Sequence, residues 1–172
     1  MVGEHIGSKT VTYLRGANLI SRSDGSKKTY YLFNAHGDVT ELVSDSSTVT
    51  HKYDYDAFGA EKKPDPLDGN PFRYCGEYFD VETGTYYLRA RYYNAEIGRF
   101  ITEDPIRNGT NWYAYCSSNP IIYVDPSGLK DIAVRSTIED LGGVVRWNDA
   151  NRTATIYLDG KSITVRPGDG YG

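Results

Sequence analysis

The sequence predicts a mainly β chain: a strand–turn array over roughly residues 8–129, followed by a small α+β module. Three observations carry this. Tyr reaches 16 and Gly 18 in 172 residues while Leu, Ile, Val and Phe are sparse, which suits amphipathic cross-strand pairs better than an aliphatic helical core. Strand-like runs recur every 8–14 residues across Thr10–Asp125. A unit of aromatic, Asp or Asn, and Gly appears four times between those runs.

The strand-like runs are Thr10–Leu14, Thr29–Phe33, Val39–Val43, Thr48–Tyr55, Thr85–Tyr93 and Ile121–Val124. Several alternate polar and apolar residues, as in Thr48-Val49-Thr50-His51-Lys52-Tyr53, the period of a half-buried strand. The repeated units are Phe33-Asn34-Ala35-His36-Gly37, Tyr55-Asp56-Ala57-Phe58-Gly59, Phe79-Asp80-Val81-Glu82-Thr83-Gly84 and Tyr93-Asn94-Ala95-Glu96-Ile97-Gly98. Each has turn chemistry: the Asx oxygen accepts nearby backbone N–H groups and Gly supplies positive φ. Tyr86, Leu88, Tyr92, Phe100 and Tyr113 are expected in the core, their hydroxyls reaching polar partners at its rim.

After Leu129 the texture changes. Ser136-Thr137-Ile138-Glu139-Asp140-Leu141-Gly142-Gly143 reads as a short helix with Ser136 as cap, Glu139 at the third helical position and glycines as the stop. Beginning near Thr137, it is the clearest helix the sequence offers. Strands follow at Val144–Trp147, Arg152–Leu158 and Lys161–Val165, with Asp159-Gly160 as a hairpin signal.

Composition excludes several function classes. Net charge is -4 and no run of Lys or Arg exceeds two residues, so the basic stripe of a general nucleic-acid binder is missing. No segment approaches 18 apolar residues, so no membrane-spanning helix is expected. The N-terminus has no signal-peptide pattern. Cys75 and Cys116 are the only cysteines, consistent with two buried thiols or with one disulfide in an oxidising compartment. Together with the scattered His5, His36 and His51, they give no metal-ligand spacing, so no metal and no cofactor is expected.

The segment Gly98–Leu129 holds Asp104-Pro105 and Asp125-Pro126, 21 positions apart, around the aromatic Trp112-Tyr113-Ala114-Tyr115. Two carboxylates brought together form the working parts of an acid protease. Asp-Pro is also an ordinary way to build a turn, and the residues alone leave both readings open.

Residues 30–129 resemble the C-terminal RHS-associated core of RHS/YD-repeat proteins. The motifs that carry the resemblance are Tyr53-Asp54-Tyr55-Asp56-Ala57-Phe58-Gly59, Arg73-Tyr74-Cys75-Gly76-Glu77-Tyr78-Phe79-Asp80 and Thr83-Gly84-Thr85-Tyr86-Tyr87-Leu88-Arg89-Ala90-Arg91-Tyr92-Tyr93-Asn94. They continue with Gly98-Arg99-Phe100-Ile101-Thr102-Glu103-Asp104-Pro105 and close with Val124-Asp125-Pro126-Ser127-Gly128-Leu129. Residues 1–29 resemble a more diverged YD-type repeat. Residues 130–172 resemble the small module named after the copper amine oxidase N-terminal domain, on Leu141–Trp147 and Asn151–Ile156, with no His or Cys to bind copper.

The resemblance implies a YD-repeat β array that forms part of a shell around a variable C-terminal polypeptide, often a toxin. It implies a single-turnover aspartyl autoprotease with Asp104 and Asp125 as catalytic pair and Arg91 as supporting cation. The cut then falls between Leu129 and Lys130. Implied partners are an upstream repeat shell of a longer chain, or the chain's own C-terminal segment, and an immunity protein. The implied location is secreted, or on the cell surface or cell wall, as part of that longer product. Strands of 5–6 residues span about 17–20 Å, so the strands of this chain alone do not close around a guest. The 43 residues after Leu129 carry six Lys/Arg and six Asp/Glu and no His, which suits a binding or structural module better than a nuclease. A reading of another class also stands: a non-catalytic, cell-wall-associated or carbohydrate-binding protein whose tyrosines line one exposed face.

Overall fold

The computed structural model describes residues 2–6, 9–16, 18–107, 109–133, 139, 142–148, 150, 153–158 and 160–165. Fifteen strands are formed among them. β1 (Val2–Ile6), β2 (Lys9–Arg15), β3 (Leu19–Ser23), β4 (Lys28–Phe33), β5 (Val39–Ser44) and β6 (Val49–Lys52) form one antiparallel sheet in chain order. Its register shifts at Leu14/Arg15, Leu32/Phe33 and Leu42/Val43; each shift adds local twist. β7 (Tyr78–Asp80), β8 (Thr85–Leu88), β9 (Arg91–Asn94) and β10 (Arg99–Phe100) form a second meander. β11 (Tyr123–Val124) pairs with β12 (Ile132–Ala133), and β13 (Val144–Asn148), β14 (Thr153–Leu158) and β15 (Lys161–Val165) make a separate sheet.

The recurring turns work as their residues predict. Asn34 Oδ1 accepts the N–H groups of His36 and Asp38, both at 3.0 Å. Asp56 Oδ1 accepts those of Phe58 at 2.8 Å and Ala60 at 3.0 Å, and Asp80 Oδ1 those of Glu82 at 3.0 Å and Thr83 at 3.3 Å. Asn94 Oδ1 accepts the Ile97 N–H at 3.3 Å. Gly59 is irreplaceable for a second reason. It has φ +89°, and a Cβ there would lie 2.4 to 2.8 Å from the Tyr74 ring.

Two aromatic clusters form the core. Val11, Tyr13, Leu19, Tyr31, Val39, Leu42 and Tyr53 pack on the first sheet, and Tyr74, Tyr86, Leu88, Tyr93, Ala95, Phe100, Tyr115 and Cys116 on the second. Tyr55 packs against both. Buried tyrosines keep their hydroxyls satisfied: Tyr74, Tyr93 and Tyr86 donate in turn to the carbonyls of Ala57, Phe58 and Gly59, at 3.2, 2.6 and 3.3 Å. One turn of backbone before the second meander, residues 57–59, is thereby tied to its core. A buried arginine, Arg73, holds the preceding loop through Glu61 at 3.0 Å and Asp68 at 3.3 Å.

Two sequence expectations need correction. Thr85–Tyr93 is not one strand but the β8–β9 hairpin, folded back at Arg89-Ala90 with Leu88 opposite Arg91. A continuous strand would put Tyr86, Leu88 and Tyr92 on one face; the turn reverses the phase. Tyr86, Leu88, Arg91 and Tyr93 therefore face inward, and Tyr92 is 40% exposed rather than buried. Phe100 is buried as expected, while Tyr113 is only half-buried. The helix expected near Thr137 lies outside the described residues. No helix among the described residues is long and apolar enough to cross a membrane.

Candidate active site

The β8–β9 turn carries the site. Arg89 takes φ +60°, the left-handed conformation of the first loop residue in a primed two-residue hairpin. Glu77, from the start of the second meander, receives the Arg89 guanidinium at 2.9 and 3.0 Å. Burial pushes the Glu77 carboxyl above its ordinary value, and Arg89 opposes that rise. Arg91, the first residue of β9, points inward: its guanidinium lies 3.5 Å over the Phe100 ring and donates to the Trp112 carbonyl at 3.0 Å.

Asp104 and Asp125 are both buried, at 7% and 2% exposure, and Arg91 is 5% exposed. Arg91 Nη2 lies 3.7 Å from Asp125 Oδ2. Burial lowers the Arg91 pKa from its ordinary value, while the charges of Asp104, Asp125 and Asp131 act to raise it. The same Trp112 carbonyl that accepts Arg91 also accepts the Asp104 N–H at 3.0 Å. That shared acceptor ties the Asp104 turn to the guanidinium.

Each aspartate also caps its own Asp-Pro turn. Asp104 Oδ1 accepts the Ile106 N–H at 2.8 Å. Asp125 Oδ1 accepts Ser127 N–H at 3.3 Å, Ser127 Oγ–H at 3.0 Å, and the N–H groups of Leu129 and Lys130, both at 3.1 Å. The Lys130 nitrogen belongs to the Leu129–Lys130 peptide, so that bond lies directly on the Asp125 carboxylate. Asp125 Oδ2 is buried and hydrogen-bonds to nothing among the described residues, so no direct carboxyl–carboxyl bond runs through it. A cavity of about 60 Å³ reaches Asp125, with His36, Cys75, Glu77 and Tyr115 among its walls. Roughly 10–15 Å³ suffices for one water.

The loop that contains the Leu129–Lys130 bond is held along the turn. Arg89 Nη1 donates to the Pro126 carbonyl, the Ala90 N–H to the Ser127 carbonyl at 3.2 Å, and Arg91 Nε to the Gly128 carbonyl. Arg89 and Ser127 carried no role in the sequence reading. Nothing in the dipeptide Arg89-Ala90 signals a turn, and side-chain-to-carbonyl bonds leave no pattern in sequence.

His36 and Cys75, which line the same cavity, belong to a second cluster. His36 Nδ1 is 2.8 Å from Asp38 Oδ1 and its Nε2 is 2.8 Å from the Pro120 carbonyl oxygen. Cys75 Sγ is 3.7 Å from His36 Nδ1 and 3.8 Å from the Tyr115 hydroxyl. His36, Asp38 and Cys75 offer one ligand atom each within 4.8 Å of one another. Their chemistry favours a clasp over a metal centre or a Cys–His nucleophile. Both Asp38 and Cys75 approach the same imidazole nitrogen, and burial pushes the Cys75 thiol well up, away from the thiolate that either role needs. Cys75 and Cys116 are both free.

No family model matches the chain. Over 130 residues it is 40% identical to the tRNA3(Ser)-specific nuclease WapA of Bacillus spizizenii, a match that covers 70% of this chain and 6% of that protein. Over 78 residues it is 41% identical to the toxin protein Tse5 of Pseudomonas aeruginosa, covering 44% of this chain and 6% of that one. The crystal structure of TcdB2-TccC3-Cdc42 shares the β fold over 70% of this chain and 6% of that chain, with a TM-score of 0.60 and 25% identity. The matched segments thus correspond to about one seventeenth of each of these much longer proteins, and the relatives include toxins.

Proposed function

We propose that this chain is the terminal core of an RHS-type polymorphic toxin or surface protein, and that it cleaves itself once between Leu129 and Lys130. The observation that carries the reading is the 3.1 Å hydrogen bond from the Lys130 N–H to Asp125 Oδ1, beside buried Arg91, on which the charges of both Asp104 and Asp125 act. Two carboxylates in one site share a proton because both cannot ionise at close range. The ionised member takes a proton from water as the water oxygen bonds to the Leu129 carbonyl carbon. The protonated member polarises that carbonyl. As the carbon–nitrogen bond breaks, a proton passes to Lys130; Asp125 Oδ1 is the carboxyl oxygen already within reach of that nitrogen. The products are a Leu129 carboxylate and a Lys130 amine. Arg91 holds Asp125 in place and stabilises the negative charge of the pair. No metal or cofactor takes part.

In this reading the chain acts within a longer, secreted or surface-displayed product, joined to an upstream repeat shell. The released segment is the small α+β module beginning at Lys130, which resembles the copper amine oxidase N-terminal unit and has an immunity protein as its partner. Mass spectrometry of the chain joined to its natural upstream repeats tests the reaction. A fragment starting at Lys130 is expected in the wild type and is lost in Asp104→Asn and Asp125→Asn. Cleavage that persists in both variants assigns the cut to another protease.

One observation favours the non-catalytic reading. Tyr78, Tyr87 and Tyr92 are exposed on the same face of the second meander, with Tyr78 opposite Tyr87 and Tyr87 opposite Tyr92. Such a row offers flat apolar surfaces to sugar rings. Glycan binding that is lost in Tyr87→Ala and kept in Asp125→Asn would select this reading.

A further inference from the structure

The feature that the dyad leaves unexplained is the way the segment before the Leu129–Lys130 bond lies on the β8–β9 turn. Three consecutive carbonyls, of Pro126, Ser127 and Gly128, meet three consecutive residues, Arg89, Ala90 and Arg91. Two of the three donors are side chains, so this is no continuation of the sheet. It reads the backbone one residue at a time and ignores side chains, except where the two segments come too close. That happens at Gly128. Its φ is +68°, and a Cβ there would lie 2.4 Å from the Leu88 carbonyl oxygen and 3.0 Å from the Arg91 nitrogen. Both obstacles are backbone atoms of the hairpin, which have nowhere to retreat.

Arg89 is built for the part. It holds a left-handed conformation that residues other than Gly, Asn and Asp rarely enter. Its guanidinium is aimed by Glu77, which accepts the same Nη1 that reaches Pro126. A half-exposed arginine with no such partner would lose much of its effect to its own mobility.

From this geometry we infer that the Leu88–Arg91 turn is a peptide-backbone docking site that presents the Leu129–Lys130 bond to the aspartates. Arg89 is its positioning residue, and the site admits only glycine immediately before the leucine. The inference rests on the self-cleavage reading for its purpose but not for its existence, and two measurements separate them. The first is residue-resolved hydrogen exchange on the chain with its upstream repeats, in the uncut Asp104→Asn background. The Ala90 amide, which donates to Ser127, is expected to be protected, and Gly128→Ala is expected to speed its exchange at least tenfold. Unchanged protection of the Tyr93 amide in β9 serves as the folding control.

The second measurement is the cleavage rate in the otherwise wild-type protein. Gly128→Ala and Arg89→Ala are each expected to slow it by about 10²-fold, the scale of a misplacement near 1 Å. Arg89→Lys, which keeps a donor for the Pro126 carbonyl, is expected to recover part of the loss. Ala90 exchange that is the same with Gly and Ala at 128 overturns the docking site. So does cleavage of Gly128→Ala at the wild-type rate. A wild type that never cuts, with Ala90 still released by Gly128→Ala, overturns the self-cleavage reading and leaves the docking site standing. Should Gly128→Ala lose protection throughout, the comparison of Arg89→Ala with Arg89→Lys decides: equal rates in the two reject the positioning role.

Discussion

Replacing Arg91 with Met tests how the site is held together. The two partners are almost fully enclosed, with side chains 4% exposed for Arg91 and 1% for Asp125. Methionine keeps most of the apolar stem but removes the guanidinium that lies over Phe100 and is the only cation facing Asp125 Oδ2 among the described residues, an oxygen that already lacks a hydrogen-bond partner there. Removing one member of a buried pair costs about 3–5 kcal/mol, because a charge is left buried and uncompensated. At roughly 2–4 °C per kcal/mol for a domain of about this size, the melting temperature falls by about 6–20 °C. The second half of the test is Asp125→Asn in the Arg91→Met background, which removes the stranded charge and recovers part of the loss. Thermal unfolding followed by circular dichroism at pH 7 measures both. A single variant that loses less than about 1 kcal/mol behaves like an exposed surface pair and refutes the reasoning. A double variant worse than the single refutes it as well.

Two further outcomes follow from residues outside the dyad. Gly59→Ala forces a Cβ into the Tyr74 ring at a position with φ +89°; left-handed strain alone is about 1–2 kcal/mol, and the clash adds to it, so chemical denaturation is expected to show a loss above 2 kcal/mol. A loss under 1 kcal/mol would mean that the ring moves freely. The His36–Asp38 pair predicts a pH dependence. Burial lowers the His36 pKa, but the hydrogen bond and charge of Asp38 and the carbonyls of Pro120 and Tyr123 outweigh it, leaving a net rise above 6.5. Burial likewise raises Asp38, yet His36, Asn34 and the Cys75 amide bring it net below 3.8. The His36 contribution is therefore complete below about 6.5 and lost as pH rises through its raised value; the Asp38 contribution is complete above about 3.8 and lost as pH falls through its lowered one. The melting-temperature gap between wild type and His36→Gln is expected to be widest between these limits and to shrink toward pH 9. A gap that grows with pH contradicts the pairing.

The parts of the fold legible in the sequence are those fixed by local chemistry. Asn34, Asp56, Asp80 and Asn94 each bond the backbone two to four residues on, so the turns announce themselves. β2, β4 and β5 follow from runs of alternating residues. β10 and β12 have two residues each and exist only because a neighbouring strand accepts them, which a single run cannot signal. The β8–β9 turn escaped for another reason. Arg89-Ala90 has neither Gly nor Asn, and the positive φ at Arg89 is imposed by its surroundings, with Glu77 and the Pro126 carbonyl holding the side chain. The Asp104, Asp125 and Arg91 candidates came from ordered motifs of a resembling family rather than from spacing, since 21 positions between two aspartates fix no distance. His36 reaches a carbonyl 84 residues away, and nothing local points to that.

The misread turn and the loop it holds bear on how the two readings of Asp125 relate. As a capped Asp-Pro turn, its Oδ1 gathers the amides of Ser127, Leu129 and Lys130. As a member of a protease pair, it needs the Leu129–Lys130 bond close by. One set of hydrogen bonds meets both needs, so in the proposed reaction the same turn chemistry also places the substrate. Holding the bond within the same chain also removes the cost of bringing two molecules together, which is worth several powers of ten in effective concentration. In the proposed reaction the site is then used up. Cleavage turns the amide donor of Lys130 into an amine free to leave, and it creates a third carboxylate, on Leu129, beside Asp104 and Asp125. With Arg91 as the cation of the dyad, that crowding of like charge expels the new Leu129 carboxylate from the site, away from the amine it would have to rejoin. In that proposed reaction, the enclosure that speeds the cut also limits it to a single event.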